Sequence, residues 1–406
     1  MNSADAGPAG TRQPPTQLGR LRELAALFLK LGAISFGGPA AHIALLEGEV
    51  VRKRQWVTRQ QFLDMLGAAN LIPGPTSTEM AINIGFVRAG WAGLCVAGAS
   101  FILPAALITG AFAWAYMRFG SLPQAASVLA GIKPAVLAVI AIAIWRLGKT
   151  AVKDVGLGLL GAVSLAAFLF GLNPILILFG GGLLGMLAKR TPSLRSEALF
   201  IFIPRENCFP PSLRFAAYAA SGSIAAGTLA LRPSISQIGL FFLKVGAVLY
   251  GGGYVLLAFL EQGLVQQHAW LTRQQLLDAV AIGQFTPGPV LSTATFIGYI
   301  LGGVPGAVVA TVGIFLPSFF YVGLLAPVLF RLRQSVWIAA FLDSVNVCAV
   351  ALMVGVTVRL GIDALKGWPA WLIAVASLAL LSRWKISPAW IVLGGGVVGL
   401  LLASVR

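Results

Sequence analysis

Apolar stretches separated by short polar turns run from residue 24 to the C-terminus. In the first half they cover 24–46 (interrupted at Gly37-Gly38-Pro39), 61–72, 77–117, 122–146, 155–170 and 174–188. The second half repeats the pattern at 238–260, 271–286, 291–330, 335–358, 367–381 and 388–404. The period-two alternation of a membrane β-barrel is missing, so the pattern predicts an all-α polytopic membrane protein. Several stretches fall short of the roughly 20 residues a spanning helix needs, and broken or re-entrant helices are expected among them.

The hydropathy pattern repeats because the sequence does. Residues 28–75, FLKLGAISFGGPAAHIALLEGEVVRKRQWVTRQQFLDMLGAANLIPGP, align without a gap on 242–289, FLKVGAVLYGGGYVLLAFLEQGLVQQHAWLTRQQLLDAVAIGQFTPGP. At that offset of 214, Lys30 falls on Lys244, Gly37-Gly38 on Gly251-Gly252, Glu47 on Glu261 and Arg59 on Arg273. Asp64 likewise falls on Asp278, and Pro73-Gly74-Pro75 on Pro287-Gly288-Pro289. One residue then slips, and an offset of 213 places Gly85 on Gly298, Pro104 on Pro317 and Arg146-Leu147-Gly148 on Arg359-Leu360-Gly361. The offset of 214 returns at Pro174 and Pro388. The chain is a tandem duplication: a cytoplasmic tail 1–23, a first repeat 24–188, a linker 189–235 and a second repeat 236–406.

Composition agrees with the membrane reading. Hydrophobic residues make up 58% of the 406 and charged ones 10%, against about a quarter charged in soluble domains. A net charge of +16 raises nucleic acid as a partner, but the basic residues are scattered over short loops, where the positive-inside rule accounts for them. Three distant cysteines (Cys95, Cys208, Cys348) and two histidines (His42, His268) offer neither a disulfide framework nor metal-ligand spacing. Residues 1–20 lack an apolar core for a signal peptide. Walker A, HExxH and Ser-His-Asp patterns are missing, so an enzyme is not expected and no cofactor is implied.

The linker begins basic and proline-rich, and ends in Phe215–Leu231, 17 residues without a charge. That stretch reads as a short spanning helix or as a surface helix; if 215–231 crosses the bilayer, the second repeat is inverted relative to the first. Lys and Arg then number 19 on the inner segments and six on the outer ones. Equivalent loops change character as inversion requires: Arg52-Lys53-Arg54 becomes Gln266-Gln267-His268.

The two PGP motifs are the strongest candidate site. Proline ends one half-helix and is welcome at the start of the next. Each break exposes a helix N-terminus, beside Thr76, Ser77 and Thr78 in the first copy and Ser292 and Thr293 in the second. Irregular backbone at membrane depth is tolerated where it lines a cavity or is buried in protein, and paired half-helix N-termini suit an anion. Structural kinks are the alternative. Gly37-Gly38, followed by Pro39, and Gly251-Gly252 form a second pair of breaks, for which close helix packing is the alternative. Lys30 and Lys244 share one slot within an apolar segment, as substrate-binding cations or as snorkelling side chains. Arg88 and Lys133 are further apolar-segment cations, opposite Leu301 and Asn346. Asp64, Asp278 and Glu79 (opposite Thr293) are candidate proton carriers, whereas Glu47 and Glu261 read as solvated interfacial residues. Thr58 and Thr272 read as N-caps, with Arg59 and Arg273 placed to meet an anion at the mouth.

Both copies of FLKLGAISFGGP and of EVVRKRQWVTRQQFLDMLGAANLIPGPTSTEMAINIGF resemble the two signature regions of the chromate transporter family of bacterial inner-membrane proteins. The resemblance spans both halves. It implies efflux of chromate, a sulfate-like tetrahedral dianion, driven by the proton gradient and conferring chromate resistance. It also implies an origin by fusion of two short domains of opposite orientation. A sulfate or oxyanion channel or uniporter without proton coupling is the competing reading. The expected partners are chromate, sulfate as a second oxyanion, the lipid bilayer and a second copy in a homodimer; nucleic acid is not among them. The second copy has Gly-Gly-Gly where the first has Gly-Gly-Pro, so a role that needs Pro39 belongs to the first repeat alone.

Overall fold

Reciprocal caps start equivalent helices in the two repeats. The Thr58 hydroxyl accepts from the Gln61 N–H at 3.1 Å while the Gln61 side chain accepts from the Thr58 N–H at 2.9 Å. Thr272 and Gln275 repeat the box at 3.1 and 3.0 Å. The structure, a computed structural model, describes residues 16–36, 38–120, 122–188, 233–250, 253–332, 335–384 and 386–404. Most of the linker, with the uncharged stretch 215–231 read as a spanning or a surface helix, lies outside the described residues, as do Gly37, Gly251 and Gly252.

The first repeat comprises α1 (Gln17–Ile34), α2 (Pro39–Glu47), α3 (Arg59–Ala69), α4 (Thr76–Phe119), α5 (Pro123–Ala151), α6 (Val155–Leu169) and α7 (Pro174–Ala188). The second comprises α8 (Ile235–Val248), α9 (Leu256–Leu260), α10 (Arg273–Phe285), α11 (Thr293–Leu332), α12 (Val336–Ala364), α13 (Trp368–Arg383) and α14 (Pro388–Ser404). A π-helical turn follows α2 at Gly48–Lys53 and α9 at Glu261–Gln267. Even the irregularities are duplicated.

Among the described residues, four helices are long and apolar enough to cross a membrane: Thr76–Phe119, Gln124–Ala151, Val290–Leu324 and Val336–Ala364. At 15 residues each, α6 and α7 extend only about 22 Å, less than the ~30 Å hydrocarbon core. The stretches 77–117 and 291–330 read as continuous in sequence, but each doubles back. Ala89 and Gly90 (φ 61°) break α4, and Gly302 and Gly303 (φ 62°) break α11. Behind each reversal two glycines touch, Gly85 on Gly93 and Gly298 on Gly306, so close that a methyl group on either would overlap the other's carbonyl.

The equivalent helices α4 and α11 pack on each other and run antiparallel. Trp91 and Leu94 lie against Gly323, while Gly98, further along α4, lies against Phe319, earlier in α11. A two-fold axis relating antiparallel equivalents lies across the helices, in the plane of the membrane, so the repeats are inverted. A second bundle follows the same symmetry: α5 packs on α12, α13 and α14, as α12 packs on α6 and α7. Gly131 meets Gly395 and Gly399, and reciprocally Gly185 meets Ser344, the equivalent of Gly131.

Candidate functional site

Two hydrogen bonds cross the pseudo-two-fold axis. The Gly74 N–H of the first PGP donates to the Leu249 carbonyl, and the Gly288 N–H of the second donates to the Ser35 carbonyl, both at 2.8 Å. Leu249 and Ser35 end α8 and α1, where those helices break. Each PGP loop therefore satisfies the broken end of the opposite repeat, and four helix breaks converge at one place. His42 Nε2 lies 3.0 Å from the Ser35 carbonyl, bracing the crossing on one side. Pro73, Gly74, Pro75, Pro287, Gly288 and Pro289 are all buried. Gly74 (φ 143°), Gly288 (φ 90°) and Gly38 (φ 80°) hold backbone angles that other residues rarely adopt.

The two loops differ in chemistry. A methyl group on Gly74 would overlap the Glu79 carboxylate and the Ser318 hydroxyl, whereas one on Gly288 would meet the Ala105 methyl and the Gly32 carbonyl. Glu79 is 0% exposed. Among the described residues neither of its carboxylate oxygens has a hydrogen-bond partner, and the same holds for the hydroxyls of Thr78 and Ser318. In the second repeat the hydroxyls are engaged: Thr293 donates to the Val290 carbonyl at 2.8 Å, and Thr109 donates to Ser292 at 3.2 Å. Ser77 is buried, and the Thr76 hydroxyl donates to the Asn70 side chain at 3.5 Å. An unsatisfied acid beside two unsatisfied hydroxyls thus sits at the first PGP loop.

Two buried ion pairs tie the second repeat's half-helices to the α5–α12 bundle. Lys133 Nζ on α5 lies 2.9 Å from Asp278 Oδ1 on α10, and Tyr116 donates to Oδ2 at 2.9 Å. Arg359 on α12 lies 3.4 Å from Glu261, donates to the carbonyls of Phe168 (3.1 Å) and Leu169 (3.3 Å), and stacks 4.6 Å over the Phe168 ring. Arg273 lies 3.7 Å from the same glutamate, and Gln266 donates to both of its oxygens. The expectation of a solvated, interfacial Glu261 is therefore corrected: it is fully buried, because α12 and the start of α10, both in its own repeat, supply it with two guanidinium groups. Residue spacing along the chain carries no sign of that packing.

Lys30 and Lys244 are not brought to the breaks. Both are exposed, and the Lys30 side chain, 60% exposed, reaches Glu49 at 3.9 Å. That glutamate also holds Lys53 at 2.8 Å and Arg54 at 3.7 Å. The hydrogen bond from Lys53 is the first cause drawing the Glu49 carboxyl below its ordinary range. Arg88 lies at the α4 reversal, donating to Glu23 at 3.1 Å and resting 5.0 Å from the Trp56 ring. Asp64 is half-buried and accepts from Gln60 at 3.2 Å, in contrast to buried Asp278. Sequence reasoning did not reach Arg359, Ser318 or Tyr116, and it named Lys133 as an apolar-segment cation but gave it no place in the site. For Lys133 the signal was present, a lysine deep in an apolar segment, but the demand for a matching cation in the other repeat discounted it.

Inverted repeats whose broken helices meet at one buried crossing form an architecture that membrane transporters use. The chromate transporter family model matches residues 22–186 and again 236–400. A chromate transport protein of Cupriavidus metallidurans is 35% identical over 384 residues, covering 94% of this chain and 93% of its own. A probable chromate transport protein of Synechococcus elongatus is 34% identical over 375 residues, 90% of each chain. An uncharacterized transporter of Bacillus subtilis, 28% identical over 162 residues, aligns 91% of its length with 39% of this chain, the size of one repeat. No solved structure matches. The chain belongs to the chromate transporter family.

Proposed function

We propose that the protein exports chromate across the bacterial inner membrane in exchange with protons, with Glu79 as the proton carrier and the first PGP loop as the oxyanion-facing element. Chromate enters this reading through the family and the relatives' names. Helix N-termini and hydroxyls suit a tetrahedral dianion, and sulfate belongs to the same class of ligand. Proton coupling rests on one observation, the fully buried Glu79 with both carboxylate oxygens unpartnered among the described residues. Ionisable groups inside a membrane protein mark substrate pathways and proton relays, and Glu79, unlike Asp278 and Glu261, is not held in an ion pair among the described residues. The counterpart loop has Thr293 at that position, so one proton site serves two repeats.

Energetics alone do not require the proton. A charge crossing the membrane is worth about 2.3 kcal/mol per 100 mV, so a dianion leaving an inside-negative cell gains roughly twice that. A uniporter is the second reading, favoured by that arithmetic. The two separate in inside-out vesicles loaded under a pH gradient at zero potential. Chromate accumulation that nigericin abolishes, and that Glu79→Gln abolishes at constant membrane content, supports exchange. Accumulation that follows only the potential and survives Glu79→Gln refutes it.

A further inference from the structure

Equivalent positions in the two repeats have unequal surroundings, and the inequality runs in one direction. In the second repeat α10 and the turn after α9 are packed against the α5–α12 bundle: Glu261 to Leu264 and Leu276 to Ala281 are all buried. In the first repeat only Val50 of the corresponding turn is buried, and Leu63 is 46% exposed where its equivalent Leu277 is 0%. Leu63 shares its face of α3 with Gln60 and Asp64, so that face is polar.

The charges follow the same division. Glu261 is locked to Arg359 at 3.4 Å. Among the described residues its equivalent Glu47 is ion-paired only with Arg52 and Arg59, at 3.7 and 3.9 Å. Arg146, the equivalent of Arg359, is exposed on α5 and forms no ion pair among the described residues. Asn346, the equivalent of Lys133, is exposed as well. Two-fold-related repeats in unequal environments define a mirror conformation in which the environments are exchanged.

We infer that Arg359–Glu261 and Arg146–Glu47 are alternating latches, the first closed and the second open in this structure. Transport exchanges them: Arg359 releases Glu261 as Arg146 engages Glu47, the exposed polar face of α3 becomes packed, and the face of α10 that is now buried opens to the other side. The exchange is imperfect by design of the sequence, because Asp64 then meets the Asn346 amide where Asp278 now meets the Lys133 ammonium. The two conformations therefore differ in energy. This inference rests on the transport reading, but its test reads conformation and is independent of which anion moves.

The reporters are Leu63→Cys and Leu277→Cys, placed separately in a chain carrying Cys95→Ser, Cys208→Ser and Cys348→Ser, and probed in oriented vesicles with a membrane-impermeant thiol reagent. Leu63→Cys should label from one face while Leu277→Cys stays protected. Adding Glu261→Gln should raise Leu277→Cys labelling about tenfold or more, from the opposite face, and lower that of Leu63→Cys. Arg146→Gln, at an exposed site that does not threaten the fold, should leave Leu277→Cys as protected as before or more so. Unchanged labelling with Glu261→Gln, opening of both reporters to one face, or deprotection of Leu277→Cys by Arg146→Gln would overturn the latch assignment.

Discussion

Replacing Lys133 by Met should destabilise the protein far more than replacing Lys133 and Asp278 together by Met and Leu. At 2.9 Å the Coulomb attraction is about 6 kcal/mol at an effective dielectric of 20, and desolvating two ions offsets much of it. Removing the lysine alone strands the carboxylate, buried and 2% exposed, with the Tyr116 hydroxyl as its remaining donor. Breaking one side of such a pair costs about 3–5 kcal/mol, whereas a well-packed apolar replacement of both partners is often neutral. The assay is unfolding of purified protein in mixed micelles, titrated with SDS and followed by tryptophan fluorescence. Lys133→Met should shift the midpoint sharply downward, and the double variant should recover most of the loss. A single variant as stable as the parent, or a double variant that loses at least the sum of the singles, would show that the pair does not hold α10 to α5.

Three further outcomes follow from the site. Gly74→Ala should abolish transport, since the residue sits at φ 143° against Glu79 and Ser318; normal vesicle uptake would place the site elsewhere. Gly85→Leu should cost about 1–3 kcal/mol or prevent folding by forcing apart the reversal at Gly93, read as loss of a monodisperse peak after extraction. The Glu49 carboxyl has its pKa lowered by Lys53, so its support of the 48–53 turn is present above the unfolded carboxylate pKa and is lost as pH falls through the folded value. Protection factors at 48–54, corrected for the intrinsic pH dependence of amide exchange, should therefore fall in acid in the parent and lose that fall in Glu49→Gln.

Much of the fold was legible in the sequence because duplication writes each structural event twice. The PGP breaks, the Thr58 and Thr272 caps and the antiparallel repeats all left paired marks. The reversals at Gly90 and Gly303 did not stand out, because glycine is common throughout this chain and hydropathy runs unbroken across both turns. The site was only half legible for a related reason. Seeking symmetric partners favoured Lys30 and Lys244, which the fold places on the surface. The polar chemistry is asymmetric: Glu79 faces Ser318 in one loop, while Thr293 and Ala105 occupy the equivalent places around the other. Long-range partners such as Lys133–Asp278 and Arg359–Glu261 depend on how the two bundles dock, which local periodicity does not encode.

The most direct test of the central claim is chromate accumulation in inside-out vesicles under an imposed pH gradient, compared between the parent and Glu79→Gln. Gradient-dependent accumulation in the parent and its loss in the variant, with equal protein in the membrane, is the predicted result. Equal accumulation in both, insensitive to the pH gradient, would contradict proton-coupled export and leave a passive oxyanion pathway.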